Sequence, residues 1–217
     1  FHTQKWATAL MAAGADVTVF SFDAYTGNVL KAVQLPASAR FRSRYTYFSY
    51  LRGGKTLADA LDAHQIDVVN ALNVTPFGVW AMKAGRRPLI VSALGADILE
   101  YPPAGEGSPL LEFRSWANVD GSQNWWQSLR HRLARKFFRR KVRQALEVAD
   151  LVTGDNQYLV DCMRDWFAVP EEKLRLLRWG VEPGWFAASP EKLAALRQKY
   201  GLKPDKPVVF SPRGAKA

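Results

Sequence analysis

Residues 67–99 read Asp67-Val68-Val69-Asn70-Ala71-Leu72, then NVTPFGVWAMKAGRR, then Pro88-Leu89-Ile90-Val91-Ser92 and finally ALGADIL. Two apolar runs of strand length enclose a segment, Thr75–Ala84, that reads as a helix closed by Gly85. The second run, Pro88–Ser92, reads as a buried strand. Strand, helix and strand within about thirty residues imply a right-handed crossover and parallel pairing.

The same alternation continues in both directions. Downstream, Tyr101–Pro109 is loop by composition, and a long helix follows from Ser122 or Gln127 to Val148. A strand at Asp150–Gly154 precedes a helix at Gln157–Phe167 that Asp155 or Asn156 can cap. A strand at Lys173–Arg178 ends at Trp179-Gly180, and a helix from Ser189 to Tyr200 carries Pro190 in its first turn, where the missing N–H costs nothing. A last strand covers Lys206–Ser211. Upstream, Trp6, Leu10 and Met11 share a helix face closed by Gly14, and Val17–Phe20 and Val29–Leu35 read as strands. Arg40–Arg52 fits no single pattern; beyond it, Thr56 is expected to cap a helix running to Ala63. No period of 20–50 residues repeats, which argues against a solenoid. The expected class is α/β: a doubly wound, Rossmann-like parallel sheet covered by helices.

Residues 1–200 are expected to form one domain, and 201–217 a linker with the first strand of a second domain. A helix opens the chain with no strand ahead of it, and Val208–Ser211 have little chain to pack on. The expectation is a piece of a longer enzyme, short of a first strand that would lie centrally in the sheet and leave backbone edges unpaired.

Composition narrows the classes. Of 217 residues, 48% are hydrophobic and 23% charged, which is a folded chain rather than a disordered one. A single cysteine, Cys162, rules out an internal disulfide framework and a multi-cysteine metal cluster, and it fits a reducing compartment. No run approaches the roughly eighteen apolar residues of a spanning helix. The net charge is +10, but Arg130–Arg143 holds eight cations and no acid; without them the balance is 10 − 8 = +2. The basicity is therefore local.

Four stretches, in this order, resemble the N-terminal half of the GT-B glycosyltransferases of family 4 (glycosyl transferase group 1). HTQKWATALMAAGADVTVFSF resembles the family's first helix and second strand, and residues 67–99 its "DvvhaH…hGsDil" segment. ADLVTGDNQYLVDCMRDWFAVPEEKLRLLRWGVEPGWF resembles the crossing into the second domain, and KPVVFSPRG that domain's first strand. The resemblance implies transfer of a sugar from a nucleotide-sugar donor to a glycan or lipid-linked acceptor with retention of configuration. It implies no metal and no cofactor beyond the donor itself. It also implies that this half holds the acceptor, that the absent half holds the nucleotide, and that the fragment alone is inactive.

Several residues become candidates on that basis. His2 would face the inter-domain cleft at the first helix start, where free N–H groups favour phosphates; otherwise it is a surface histidine. Gly95 allows close backbone approach after a buried strand, and Asp97 either accepts from sugar hydroxyls or caps the next turn. Leu94 departs from the family, which commonly has histidine there, so a polar group is missing from the proposed reaction centre. Asn70 and Asn73 are expected to end their strand, with Thr75 beside them, and either bond hydroxyls or simply terminate the strand. Asp155 and Asn156 occupy the next strand tip, with helix capping as the competing role. Arg213 matches a position that can meet donor pyrophosphate, which a guanidinium suits. Trp179-Gly180-Val181-Glu182 resembles the family's "nGvD" turn between domains. Cys162 reads as an inert buried thiol, and His2, His64 and His131 have no metal-ligand spacing.

The long helix has its own candidates. Leu129, Leu133, Phe137 or Phe138, Val142 and Ala145-Leu146 are expected to form an apolar stripe, with Arg132, Arg135, Lys136, Arg139 and Arg140 on the other faces and Trp125 and Trp126 just before. Rings beside a cationic helix suit an anionic membrane surface. The same pattern suits a solvated face, or an anionic lipid-linked acceptor. The expected location is the cytoplasm, with the inner face of the plasma membrane as a docking surface. Two other classes compete: a non-catalytic sugar-binding scaffold and a basic nucleic-acid-binding domain. No nucleic-acid motif is present, so nucleic acid is not the expected partner.

Overall fold

The computed structural model describes residues 2–22, 25, 27, 29–36, 47–103, 125–178, 180, 189–203 and 206. The chain divides into two compact units, Phe1–Arg178 and Trp179–Ala217.

In the first unit, α1 (His2–Ala12) is followed by β1 (Thr18–Ser21) and β2 (Lys31–Gln34), then α2 (Tyr47–Ala63) and β3 (Val69–Leu72). A wide turn at Val74–Gly78 leads to α3 (Val79–Ala84), β4 (Leu89–Ser92) and the short α4 (Ala96–Leu99). The long α5 (Trp125–Val148), β5 (Leu151–Gly154), α6 (Gln157–Phe167) and β6 (Leu174–Leu176) complete it. β3, β4, β5 and β6 lie side by side in that order, all parallel, while β1 and β2 form a separate parallel pair. This is a Rossmann-like α/β arrangement of parallel sheets flanked by helices. The single continuous sheet expected from the alternation is instead two sheets: among the described residues, β1 bonds only to β2 and β3 only to β4.

Register explains the core. Ala71, Val91, Val152 and Leu174 are partners across the four strands and share one face. They pack with Val79 and Ala81 of α3, Val142, Ala145 and Leu146 of α5, and Leu159, Met163 and Phe167 of α6. At roughly 25 cal/mol per Å² of apolar surface removed from water, this layer is the main source of stability. Phe22 stacks edge-on to Trp80 at 4.7 Å, and Phe20 to His64 at 5.6 Å, which joins the β1 end to α3 and to the residues after α2.

Several expectations need correction. Thr56 does not cap α2; it lies inside a helix already under way at Tyr47. The reason is the pair Gly53-Gly54. Glycines cost about 1 kcal/mol each in a helix interior relative to alanine, but a Cβ on Gly53 would sit 2.5 Å from the Trp80 ring, and one on Gly54 would sit 2.4 Å from Lys83 Cβ. The glycines are what let α3 lie against α2. The strand at 173–178 is shorter, because Glu171–Lys173 coil into a 3₁₀ turn first. Asn70 does not end its strand but lies within β3. Leu133 is not part of the apolar stripe of α5: it is 58% exposed, while Phe138, Val142, Ala145, Leu146 and Ala149 form the buried face. Most of the strand expected at Lys206–Ser211 lies outside the described residues.

In the second unit, α7 (Pro190–Lys199) begins as the sequence suggests: Ser189 Oγ accepts from the Lys192 N–H at 3.3 Å and Pro190 takes the first helical position. Gly201 follows with φ +62°.

Candidate functional site

Seven of the candidate residues lie in or just after β3, β4 and β5, toward the carboxyl ends of these strands. Asn73 leaves β3 with φ 100° and ψ 130°, a region that disfavours side chains. Three bonds hold it there. Its N–H donates to the Ser92 carbonyl at 2.8 Å, its carbonyl accepts from Gly78 N–H at 3.0 Å, and its Oδ1 accepts from Thr75 N–H at 3.1 Å. Thr75 itself is extended. Asn70, three residues earlier within β3, accepts at Oδ1 from the Ser92 hydroxyl at 2.9 Å.

The loop after β4 turns at Gly95, where φ is +112°. A side chain there would be strained, yet a Cβ would meet nothing within 4 Å. One face of this backbone is therefore open to close approach. Asp97 is only 4% exposed. Its Oδ2 accepts from Val74 N–H at 2.7 Å and its Oδ1 from Leu94 N–H at 3.0 Å. Asp97 does not cap the following turn, whose N-cap is Gly95; instead one carboxyl group ties the β3 loop to the β4 loop. Burial pushes the Asp97 carboxyl above the ordinary aspartate range, with the backbone N–H bonds pulling the other way.

At the β5 tip, Asn156 caps α6, with Oδ1 accepting from Leu159 N–H at 2.9 Å and Nδ2 donating to Asp155 Oδ1 at 2.7 Å. Asp155 is half-buried. Gly154 is buried, and a Cβ there would meet Val160 at 3.0 Å and Met163 at 3.2 Å, so α6 starts hard against the strand end.

The remaining candidates lie elsewhere. His2 opens α1, which leads into the two-stranded sheet rather than the four-stranded one. The side chains of His2, Trp125, Trp126 and Arg132 lie outside the described set, as do Arg213 and the Trp179, Val181 and Glu182 of the turn between domains. On α5, Lys136 and Arg140 are exposed and Arg135 is half-buried. Arg139 departs from the expected outward role. It donates to the carbonyls of Tyr101 and, at 2.6 Å, Trp166, and its guanidinium lies 4.8 Å above the Phe167 ring. It clamps the segment after α4 to the end of α6.

Sequence reasoning missed Ser92, whose hydroxyl and carbonyl serve Asn70 and Asn73 respectively. A lone serine at the end of an apolar strand was the available signal. Two exposed aromatic residues lie nearby: Phe77 in the turn after β3 and Tyr158 in the first turn of α6. Among the described residues, no three His, Cys, Asp or Glu side chains gather as metal ligands.

Chemically, the edge offers amide and hydroxyl groups, a buried carboxyl committed to backbone N–H groups, and an open glycine face. That set suits hydroxyl-rich ligands more than a charged reaction centre.

Comparisons with known proteins agree with the fold. A family described as Glycosyl transferase 4-like matches residues 1–120. A solved glycosyltransferase from Rickettsia africae ESF-5 is similar in fold, with a TM-score of 0.55 at 14% sequence identity. The match covers 93% of this chain but 45% of that one, so the chain spans less than half of its structural relative. None of the curated proteins matches the sequence.

Proposed function

Because the chain belongs to the Glycosyl transferase 4-like family, we propose that it is the acceptor-side half of an enzyme that moves a sugar from a nucleotide-sugar to a glycan or lipid-linked acceptor. The observation that carries this reading is the meeting of Asn73, Gly95 and Asp97 at adjacent strand tips, where open α/β sheets bind ligands.

The division of labour follows from the groups present. Asp97 holds the β3 and β4 loops in register, and Asn73 and Thr75 offer the polar atoms of the β3 tip. The bare face of Gly95 lets an acceptor ring or its linking phosphate come against the main chain. A nucleotide-sugar presented by the rest of the enzyme would place its anomeric carbon over this edge. An acceptor hydroxyl then forms the new C–O bond on the face the leaving phosphate vacates, the C–O bond to phosphate breaks, and the hydroxyl proton passes to the departing phosphate oxygen. This outcome preserves the anomeric configuration and leaves no step that needs a metal ion. The proposed setting is the cytoplasm, in assembly of a polysaccharide or glycolipid.

Leu94 favours one alternative. With an aliphatic side chain where the family commonly has histidine, a sugar-binding scaffold without turnover is the competing reading. Incubating the full-length protein with labelled nucleotide-sugars and lipid or glycan acceptors, with and without a chelator, separates the two. The transferase reading expects chelator-resistant transfer with the anomeric configuration of the donor. Saturable acceptor binding with no nucleotide release would replace it with the scaffold.

A further inference from the structure

We propose that the group received at these strand tips is the neutral ring of a saccharide, one C–H face laid on Phe77 and its hydroxyls on Asn73 and Thr75, and not a phosphate. The inference rests on the reading that the acceptor binds here, and it chooses between the glycan and phosphate groups which that reading leaves open.

Charge decides first. Residues 72–78, 92–99 and 154–158, the stretches that leave β3, β4 and β5, contain no lysine, arginine or histidine. Their two acids are Asp97 and Asp155. A phosphate is held by cations or by backbone N–H groups. Here the N–H groups of Val74, Thr75 and Leu94 are already given to Asp97 and Asn73. Asp155, directly before α6, supplies the negative charge that a helix start favours. What the edge offers instead is neutral. Thr75 N–H donates to Asn73 Oδ1, which turns the Nδ2 end of that amide away from it. Among the described residues, neither Asn73 Nδ2 nor the Thr75 hydroxyl has a hydrogen-bond partner, and both side chains are half-buried. Sugar hydroxyls, which donate and accept, match both groups.

Phe77 supplies the apolar half. It lies in the Val74–Gly78 turn, which Asp97 holds at the Val74 N–H and the Asn73 carbonyl holds at the Gly78 N–H. Its ring stands 5.6 Å from that of the buried Trp80, edge to face, so it is held in place while 41% of the residue stays exposed. Single exposed apolar side chains are ordinary, but their kind differs between the two edges of this sheet. Val68 before β3 and Val148 before β5 are aliphatic, whereas Phe77 after β3 and Tyr158 after β5 are aromatic. The negative face of an aromatic ring attracts the C–H bonds of a pyranose and gives a phosphate nothing. Between these two loops in strand order comes the β4 loop, where the open side of Gly95 leaves room for a ring.

The test uses the full-length protein without donor, so that it is separate from transfer. Saturation-transfer NMR compares the methyl glycosides of glucose, galactose, mannose and N-acetylglucosamine with farnesyl phosphate. At least one glycoside should bind through its ring C–H protons. Phe77→Leu, which keeps apolar bulk but removes the ring face, should weaken it about fivefold, and Phe77→Tyr should keep the original affinity. Thr75→Val should also weaken it about fivefold, and it carries the test alone if melting shows that Phe77→Leu does not fold. Binding of no glycoside, unchanged affinity in the folded variants, or loss of farnesyl phosphate binding in their place would each overturn the proposal. Transfer onto a phosphate acceptor would leave the transferase reading standing and this one fallen. Phe77-dependent glycoside binding by a protein that transfers nothing would do the reverse.

Discussion

The two ends of the four-stranded sheet are tied by an aspartate each, and the two ties are opposite in kind. At the amino-terminal end, Asp150 is exposed and faces Arg87, which donates to it at 2.6 and 3.1 Å and also to the Val148 carbonyl at 2.7 Å. At the carboxyl-terminal end, Asp97 is buried and is bound by backbone N–H groups of two loops. One end joins neighbouring strands by charge in water. The other holds irregular backbone by a carboxyl taken out of water, next to Asn73 and Gly95 at positive φ. Strain and costly burial therefore collect at one end of the sheet.

The comparison can be broken most directly at Asp97. Asp97→Ala leaves the buried Val74 N–H and the half-buried Leu94 N–H without their acceptor and should cost about 3 kcal/mol in denaturant unfolding. Asp97→Asn, which keeps one acceptor oxygen, should cost about half of that. Next comes Gly95→Ala. With nothing for the methyl to strike, its cost isolates backbone strain and should be about 2 kcal/mol. A negligible cost would mean the turn relaxes easily and the asymmetry between the ends is weaker than drawn.

Acid titration sharpens the contrast by sign. Burial raises the Asp97 carboxyl, so its contribution is present below its unfolded value and lost as pH rises through the folded one. The hydrogen bond from Arg87 lowers Asp150, so its contribution is present above the unfolded value and lost as pH falls through the folded one. Carboxyl carbon shifts followed by NMR should move apart in those directions, Asp97 titrating above the ordinary aspartate range and Asp150 below. Titration of both in the ordinary range would erase the distinction. Asp150→Ala should bring a loss smaller than that of Asp97→Ala, shrinking further in high salt, because the pair it breaks is exposed. Smallest of all is Ala168→Gly. Ala168 closes α6 at φ 56°, where glycine is at ease, and the change should raise stability by about 0.5 kcal/mol on thermal melting.

What could be read from the sequence follows the range of the forces. α6 was legible to the residue, because its cap, its apolar spacing and its end lie within a dozen positions. The tips of β3, β4 and β5 were legible as a group from the order of strands and helices. The start of α2 was not, because Arg40–Arg52 fits no single pattern and the contacts at Gly53-Gly54 come from Trp80 and Lys83, nearly thirty residues on. Nor was the partner of Asp97: Val74 lies 23 residues away, and spacing says nothing of which N–H a carboxyl will find. Leu133 and Arg139 exchanged their expected sides for the same reason. A helix wheel allots faces by hydrophobicity, whereas the sheet takes whichever face its neighbours leave room for, and an arginine with two carbonyls to bind can go inward.

The Arg139 clamp has an evolutionary corollary. Both of its acceptors are main-chain oxygens, which every amino acid supplies, so the side chains at 101 and 166 can drift without loosening it. Mutational tolerance of the clamp is thus lopsided: its polar part falls on a single codon. Related sequences should keep arginine at that position, while positions 101 and 166 answer to their packing on the core rather than to the clamp.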